Sequence, residues 1–174
     1  MSLLTSLHDL QFRTGLAFLF PTPLALATLL LFLWSLRFLA RTDVPRAFVT
    51  LVRVTWVLAL LPAITGVLLA LGGAKTASAT RATAEELARN CPAATPAQDL
   101  TRYCLPYDPS RNLEHWMYAS FVILSLVMIE LMLRGRFLSE RTALRLIPVA
   151  ALFLYGVAYM VGRVAVFPGS TPGA

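Results

Sequence analysis

Residues 47–71, AFVTLVRVTWVLALLPAITGVLLAL, decide the fold class of this chain, because this run of 25 residues holds a single charged side chain, Arg53. At about 1.5 Å per residue, one helix of this length crosses the roughly 30 Å hydrocarbon core of a bilayer. Lipid offers the backbone no hydrogen-bond partner, which excludes an open sheet, and the run lacks the alternation of a barrel strand. The stretch therefore predicts a transmembrane α-helix.

Three further apolar runs predict three more spans, so that the four together cover 22–40, 47–71, 113–133 and 144–167. The composition agrees, because 57% of the residues are hydrophobic and 14% are charged, whereas soluble domains carry about 25% charged residues. We therefore predict an all-α integral membrane protein, a four-transmembrane-helix bundle that forms a single membrane domain over residues 1–174.

The N-terminal residues 2–20 are amphipathic if they are helical. Three leucines share one face, and polar side chains share the opposite face: Leu3, Leu7 and Leu10 against Ser6, Asp9 and Arg13. This pattern predicts an amphipathic helix that lies in the membrane interface. Pro21 and Pro23 mark the change of direction into the first span, since proline is tolerated in a first helical turn. A single kinked span that begins near Thr14 is the alternative.

Arginine positions predict the orientation. The two short connections between spans, with their flanks, hold Arg37, Arg41, Arg46, Arg53, Arg134, Arg136, Arg141 and Arg145. Arginine-dense short connections are typically cytoplasmic, so both termini and the loop 72–112 are expected on the extracytoplasmic side. The bias toward arginine, alanine and leucine favours a bacterial cytoplasmic membrane. The net charge of +6 is explained by lipid headgroups, and we predict no nucleic-acid partner.

The loop 72–112 contains the only two cysteines, Cys91 and Cys104. In an oxidising compartment they are expected to form a disulfide that ties the loop, worth roughly 3 kcal/mol in the chain-entropy model. A thiol redox site is disfavoured, because it requires a closely spaced C-x-x-C pair. Even with His8 and His115 the cysteines lack metal-ligand spacing, so we predict no metal site.

Four residues near the outer membrane surface form a candidate ligand or quinone site: His8, Glu114, His115 and Arg163. Two histidines at one depth are able to ligate a b-type haem, and imidazoles also contact quinone headgroups. The alternative to a ligand site is that His115, with Trp116 and Tyr118, belongs to the belt of interfacial side chains that ordinarily lies at the end of a span. Neither haem nor quinone is favoured over the absence of a cofactor.

Charged residues inside spans require a partner or a route to the headgroups. Arg53 and Glu130 lie near the same membrane surface on different spans, and we predict that they form an interhelical ion pair. The alternative is that each arginine extends along its helix to the headgroups.

The spans also carry small residues at helical spacing, Ala59, Ala63, Gly66 and Ala70 in one and Ala158 and Gly162 in another. Such faces allow helices to approach closely, and no catalytic constellation is visible. We therefore predict a small non-catalytic membrane subunit or scaffold, in the lipid bilayer with other membrane protein subunits or as a homo-oligomer. The first alternative is a haem- or quinone-linked redox component. The second is a small transporter or lipid-binding protein built on Arg53, Glu130 and a helix kink at Pro62.

Overall fold

The computed structural model describes residues 3–8, 10, 12, 19–72, 109–136 and 138–166. These residues form five α-helices and no strand: α1 (Leu3–His8), α2 (Pro23–Ser35), α3 (Arg46–Leu71), α4 (Pro109–Leu133) and α5 (Glu140–Val166). A 3-10 helix, Leu36–Leu39, continues α2. The prediction of an all-α chain is thereby confirmed for the described residues. Cys91, Cys104 and their predicted disulfide lie outside these residues.

Three helices are long and apolar enough to cross a membrane: α3 over Arg46–Leu71, α4 over Asn112–Leu133 and α5 over Glu140–Gly162. The first predicted span is a shorter apolar helix, Pro23–Leu39. Its start is defined by Thr22, whose hydroxyl accepts a hydrogen bond from the Ala25 amide at 3.1 Å, followed by proline at the first helical position. With its 3-10 extension the helix reaches about 28 Å, slightly less than the roughly 30 Å of a hydrocarbon core.

Helices α2 to α5 are the four long helices when compared with the six-residue α1. They form an antiparallel bundle in which α5 packs against both α2 and α4. Helix α3 packs against α2, and its interface with α4 is much smaller. The short helix α1 packs against α3. Helices α2 and α4 begin at one end of the bundle, where α3 and α5 finish, and we call this the cavity end. The opposite end, formed by residues 36–53 and 129–147, is the arginine end.

The core is tightly packed from the middle of the bundle to the arginine end. The Phe38 and Phe48 rings meet edge to face with centroids 4.9 Å apart, and neither is exposed by more than 1%. Around them lie further fully buried aliphatic side chains: Leu31, Leu126, Ile129, Leu144 and Ile147. The outer faces of the long helices carry exposed apolar side chains, as expected where helices face lipid. These include Val57, Ile64, Val149 and Phe153.

The N-terminal segment differs from its predicted form. Helix α1 spans six residues and ends at His8, and the described residues that follow it, Leu10, Phe12 and Phe20, are not helical. Instead the Phe12 amide donates to the Pro21 carbonyl at 3.0 Å. The Tyr155 hydroxyl on α5 donates to the Leu19 carbonyl at 2.7 Å. The described part of the segment is therefore bonded to the chain just before α2 and to α5.

Candidate functional site

His8, the last residue of α1, bonds directly to α3. Its Nδ1 lies 3.0 Å from the Pro62 carbonyl oxygen and 3.2 Å from the Thr65 hydroxyl. A carbonyl only accepts hydrogen bonds, so Nδ1 is the nitrogen that donates in this contact. The backbone of α3 thereby selects one tautomer and holds the ring in one orientation.

The sequence of α3 explains why His8 fits there. Thr65 donates its own proton to the Leu61 carbonyl at 2.9 Å, which leaves its oxygen free to accept from His8. Gly66 supplies the space, since a Cβ at this position would lie 2.8 Å from His8 Cε1. Real Cβ atoms do not approach other heavy atoms so closely. Pro62, Thr65 and Gly66 share one face of α3, and together they form the seat of the imidazole.

His115 lies near the start of α4 and faces His8. The two ring centroids are 6.2 Å apart and the ring planes are inclined by 67°. Its Nδ1 is buried and has no hydrogen-bond partner, which in the part of the chain that the structure describes is true of only one other side-chain atom, Arg37 Nε. An unsatisfied buried polar group costs about 1–3 kcal/mol, and such groups therefore suggest a functional role.

The two histidines line a partly open cavity of about 80 Å³. The N-terminal segment and all four long helices contribute to its wall, which is otherwise mainly apolar. The lining residues are Leu7, His8, Leu10, Thr22, Pro23, Leu24, Leu58, Ala59, Leu61, Pro62, Ala63, His115, Ala119, Val122, Ala158, Val161 and Gly162. A mainly apolar pocket with a few converging polar groups is typical of ligand sites.

The small residues around the cavity are covered by other residues of the same chain. A Cβ at Gly162 would lie 3.0 Å from both Pro21 Cγ and Thr22 Cγ2, so this glycine permits the close contact between α5 and α2. Ala59 and Ala158 are buried, and Gly66 is covered by His8. These faces were predicted only as helix-packing surfaces. Sequence reasoning considered Pro62 only as a helix kink and Gly66 only as a packing residue, and it missed Thr65. The spacing of these three residues on one helical face was available as a signal.

The other predicted site residues are placed differently. Glu114 is exposed beside His115 and does not line the cavity. Arg163 follows Gly162, which does line it, and the Arg163 side chain lies outside the described residues. Within those residues no group of three or more histidine, cysteine, aspartate or glutamate side chains is positioned to hold a metal ion.

In the described part of the chain, Glu130 has a different partner from the predicted Arg53. Arg134 Nη2 donates to Glu130 Oε1 at 2.9 Å, within α4 and the turn that follows it. Arg53 is exposed on α3, and no ion pair between the described residues joins it to Glu130. Glu130 pairs with Arg134 because residues four apart on a helix lie side by side. Arg53 lies on α3, which shares only a small interface with α4.

No known protein family, curated protein or solved structure matches this chain. Fold and site alone therefore define its class. It is a helical protein with three helices long and apolar enough to cross a membrane, and it carries a cavity lined by two histidines at one end of the bundle.

Proposed function

We propose that this protein is a membrane-embedded, redox-linked binding component that holds a haem or a quinone through His8 and His115. The number of spans, the kind of membrane and the orientation of the chain are part of the same proposal. The chain has four spans in a bacterial cytoplasmic membrane, and both termini and the cavity end lie on the extracytoplasmic side. One observation carries the proposal, namely that α1 and all four long helices place two imidazoles on one apolar cavity.

The chemistry of the cavity supports this assignment. Imidazole nitrogens ligate haem iron and form hydrogen bonds with ring headgroups, and the apolar wall suits the remainder of such molecules. The Thr22 hydroxyl adds a further polar group to the lining. Among the neighbouring helices of the bundle, α3 and α4 share the smallest interface, and the cavity is partly open.

The subunit or scaffold hypothesis stays a prediction with less support than before. It depended on small-residue helix faces, and Gly66 and Gly162 have their contacts within the chain. Gly156 differs from these two glycines, because nothing lies within 4 Å of a Cβ added there, and its open surface still agrees with the scaffold hypothesis. The transporter hypothesis depended on Arg53, Glu130 and a kink at Pro62. It stays a prediction with less support, because Glu130 bonds to Arg134 and the Pro62 carbonyl accepts from His8.

The proposal is tested by identifying what the protein binds. The full chain is purified in mild detergent, incubated with excess quinone or hemin, washed, and analysed by absorption spectroscopy and by solvent extraction with mass spectrometry. We expect near-stoichiometric ligand in the wild type and at least tenfold less in the double variant His8→Ala, His115→Ala, because both binding nitrogens are lost.

Leu113→Ala serves as the matched control, since Leu113 lies in the same turn of α4 as His115 and is 72% exposed. This variant should retain the ligand. The proposal is rejected if the wild type retains neither quinone nor haem, or if the double variant retains as much as the control.

A further inference from the structure

We propose that one face of α3 binds an anionic phospholipid. Arg46 and Arg53 hold the phosphate of the headgroup, and the apolar side chains that follow them on the same face lie along an acyl chain. This site is at the arginine end of the bundle, so it is separate from the cavity on which the proposed function depends.

The two arginines share one face of α3, with a threonine between them. Arg46, Thr50 and Arg53 follow at helical spacing, which places them on one side of the helix, and all three are exposed. Arg53 lies about 10 Å further along the helix axis than Arg46. Side chains of a helix lean toward its N-terminus, and arginine stems in a membrane span extend toward the headgroups. We therefore expect the Arg53 guanidinium group to extend back toward Arg46.

The arginine end has eight arginines and three acidic residues, so its positive charge is not balanced. Two of the acids, Asp43 and Glu130, already form ion pairs with other arginines. The third, Glu140, begins α5, which among the described residues does not pack against α3. Cationic groups within a membrane span require a partner, and the planar guanidinium group matches the oxygens of a phosphate. An anionic lipid therefore supplies the negative charge that the described residues do not offer to the arginines of α3.

Beyond Arg53 the same face of α3 is apolar. Its exposed side chains continue at helical spacing to the end of the helix: Val57, Leu60, Ile64, Leu68 and Leu71. From Val57 to Leu71 this row is about 21 Å long, whereas one leaflet contributes about 15 Å to a hydrocarbon core of roughly 30 Å. The row is therefore long enough for the acyl chain of a lipid whose phosphate lies at the two arginines.

Charge also argues against a second copy of the chain as the occupant of this face. Copies in one membrane share one orientation, so a two-fold contact through this face would bring each arginine close to its own counterpart, and like charges across an interface are destabilising. A zwitterionic lipid is a poorer match as well, because its headgroup carries a cation beside the phosphate. Each basic residue near an anionic lipid raises the affinity about fivefold. The two arginines therefore select an anionic headgroup.

Trp56 reports on this face, because it is half-buried and lies between Arg53 and Val57 in the sequence. In the full chain with Trp34→Phe and Trp116→Phe it is the only tryptophan. This chain is reconstituted into phosphatidylcholine vesicles with an increasing share of dibrominated phosphatidylglycerol, and quenching of the tryptophan fluorescence by bromine is measured. Dibrominated phosphatidylcholine gives the reference. We expect phosphatidylglycerol to be preferred by about 25-fold, since two arginines contribute about fivefold each.

Paired substitutions locate the preference on α3. Arg46→Gln with Arg53→Gln should reduce it to less than about threefold, because both cations are lost. The matched control is Arg141→Gln with Arg145→Gln, which removes the same charge from exposed positions at the same end of the bundle, but on α5, and it should leave the preference unchanged. Lysine at both α3 positions keeps the charge and loses the planar fork, so it should retain part of the preference even if the glutamine variant folds poorly. Circular dichroism measures the helical content of each variant.

A preference that depends on the α3 arginines and not on the α5 pair supports the proposal. It is overturned if phosphatidylglycerol is not preferred, or if both pairs of substitutions lower the preference equally, since the arginines would then act only as a diffuse surface charge. Displacement of the lipid by millimolar inorganic phosphate would assign the arginines to a free anion and overturn the lipid site. If neither brominated lipid quenches Trp56 and the chain migrates as a dimer, the face belongs to a second copy and the proposal is again overturned.

Discussion

The two ends of the bundle differ in how completely the space between the helices is filled. At the arginine end, Phe38, Phe48 and Ile129 are buried to within 1% and the core is filled. At the cavity end the same four helices leave a space of about 80 Å³ with two imidazoles on its wall. A filled apolar core contributes stability, whereas unfilled space beside an unsatisfied nitrogen costs stability and is retained where a ligand occupies it. The difference fits the proposed function, in which the arginine end stabilises the fold and the cavity end holds the ligand.

Buried polar groups show the same contrast. Thr28, Thr55 and Ser125 each donate to a carbonyl three or four residues earlier in their own helix, so their bonds need no tertiary contact. The bond of His8 reaches Pro62 on another helix, and His115 Nδ1 has no partner in the described part of the chain. The two imidazoles at the cavity end therefore depend on the assembled bundle, whereas these hydroxyl groups do not.

The largest effect is expected from the arginine end. Phe48→Ala removes a fully buried ring that packs edge to face against Phe38 and Trp34. We expect a loss of roughly 3–5 kcal/mol in the free energy of unfolding, measured by denaturation in detergent micelles. Phe153→Ala is the matched control, because the same ring is removed from a position that is 55% exposed. Equal losses in the two variants would contradict the assignment of the arginine end as the tightly packed part.

An intermediate effect is expected at Gly66. Gly66→Ala places a Cβ 2.8 Å from His8 Cε1, and overpacking of this kind costs about 1–3 kcal/mol, partly offset by the better helix propensity of alanine, about 1 kcal/mol. We expect displacement of His8 and loss of ligand binding, with a small net change in stability.

Gly156→Ala is the control for the same exchange within a helix, since nothing lies within 4 Å of its added Cβ. It should raise the free energy of unfolding by up to about 1 kcal/mol and leave binding intact. Unchanged ligand affinity in Gly66→Ala would show that the seat of His8 on α3 is not needed for binding.

The smallest effect is expected from the exposed charges of the arginine end. Glu130→Gln should lower stability by about 0.3–0.5 kcal/mol, and less in high salt, because its pair with Arg134 is exposed and four residues apart. A double-mutant cycle between Glu130 and Arg134 should give this coupling, and one between Glu130 and Arg53 should give none. Coupling to Arg53 instead would restore the interhelical pair predicted from the sequence.

Much of the helical architecture was predictable because it is local. The run 47–71 coincides with α3 to within one residue, and the prolines at 21 and 23 indicated where the first apolar helix begins. The helix predicted over residues 2–20 differs from the structure, in which α1 ends at His8, Phe12 bonds to Pro21 and Leu19 bonds to Tyr155 of α5. Amphipathic periodicity does not reveal whether a segment lies on a membrane or against its own protein.

The sequence by itself determined that this chain is helical and apolar, because lipid requires each backbone bond to be satisfied within its own helix, and that requirement is read from length and hydropathy. It also supplied His8 and His115 as candidates. Only the tertiary structure decided that the two rings face each other at 6.2 Å, and that Gly66 receives an imidazole rather than another helix. These contacts join residues far apart in the chain, and they depend on which helix faces meet, a choice that helical periodicity leaves open.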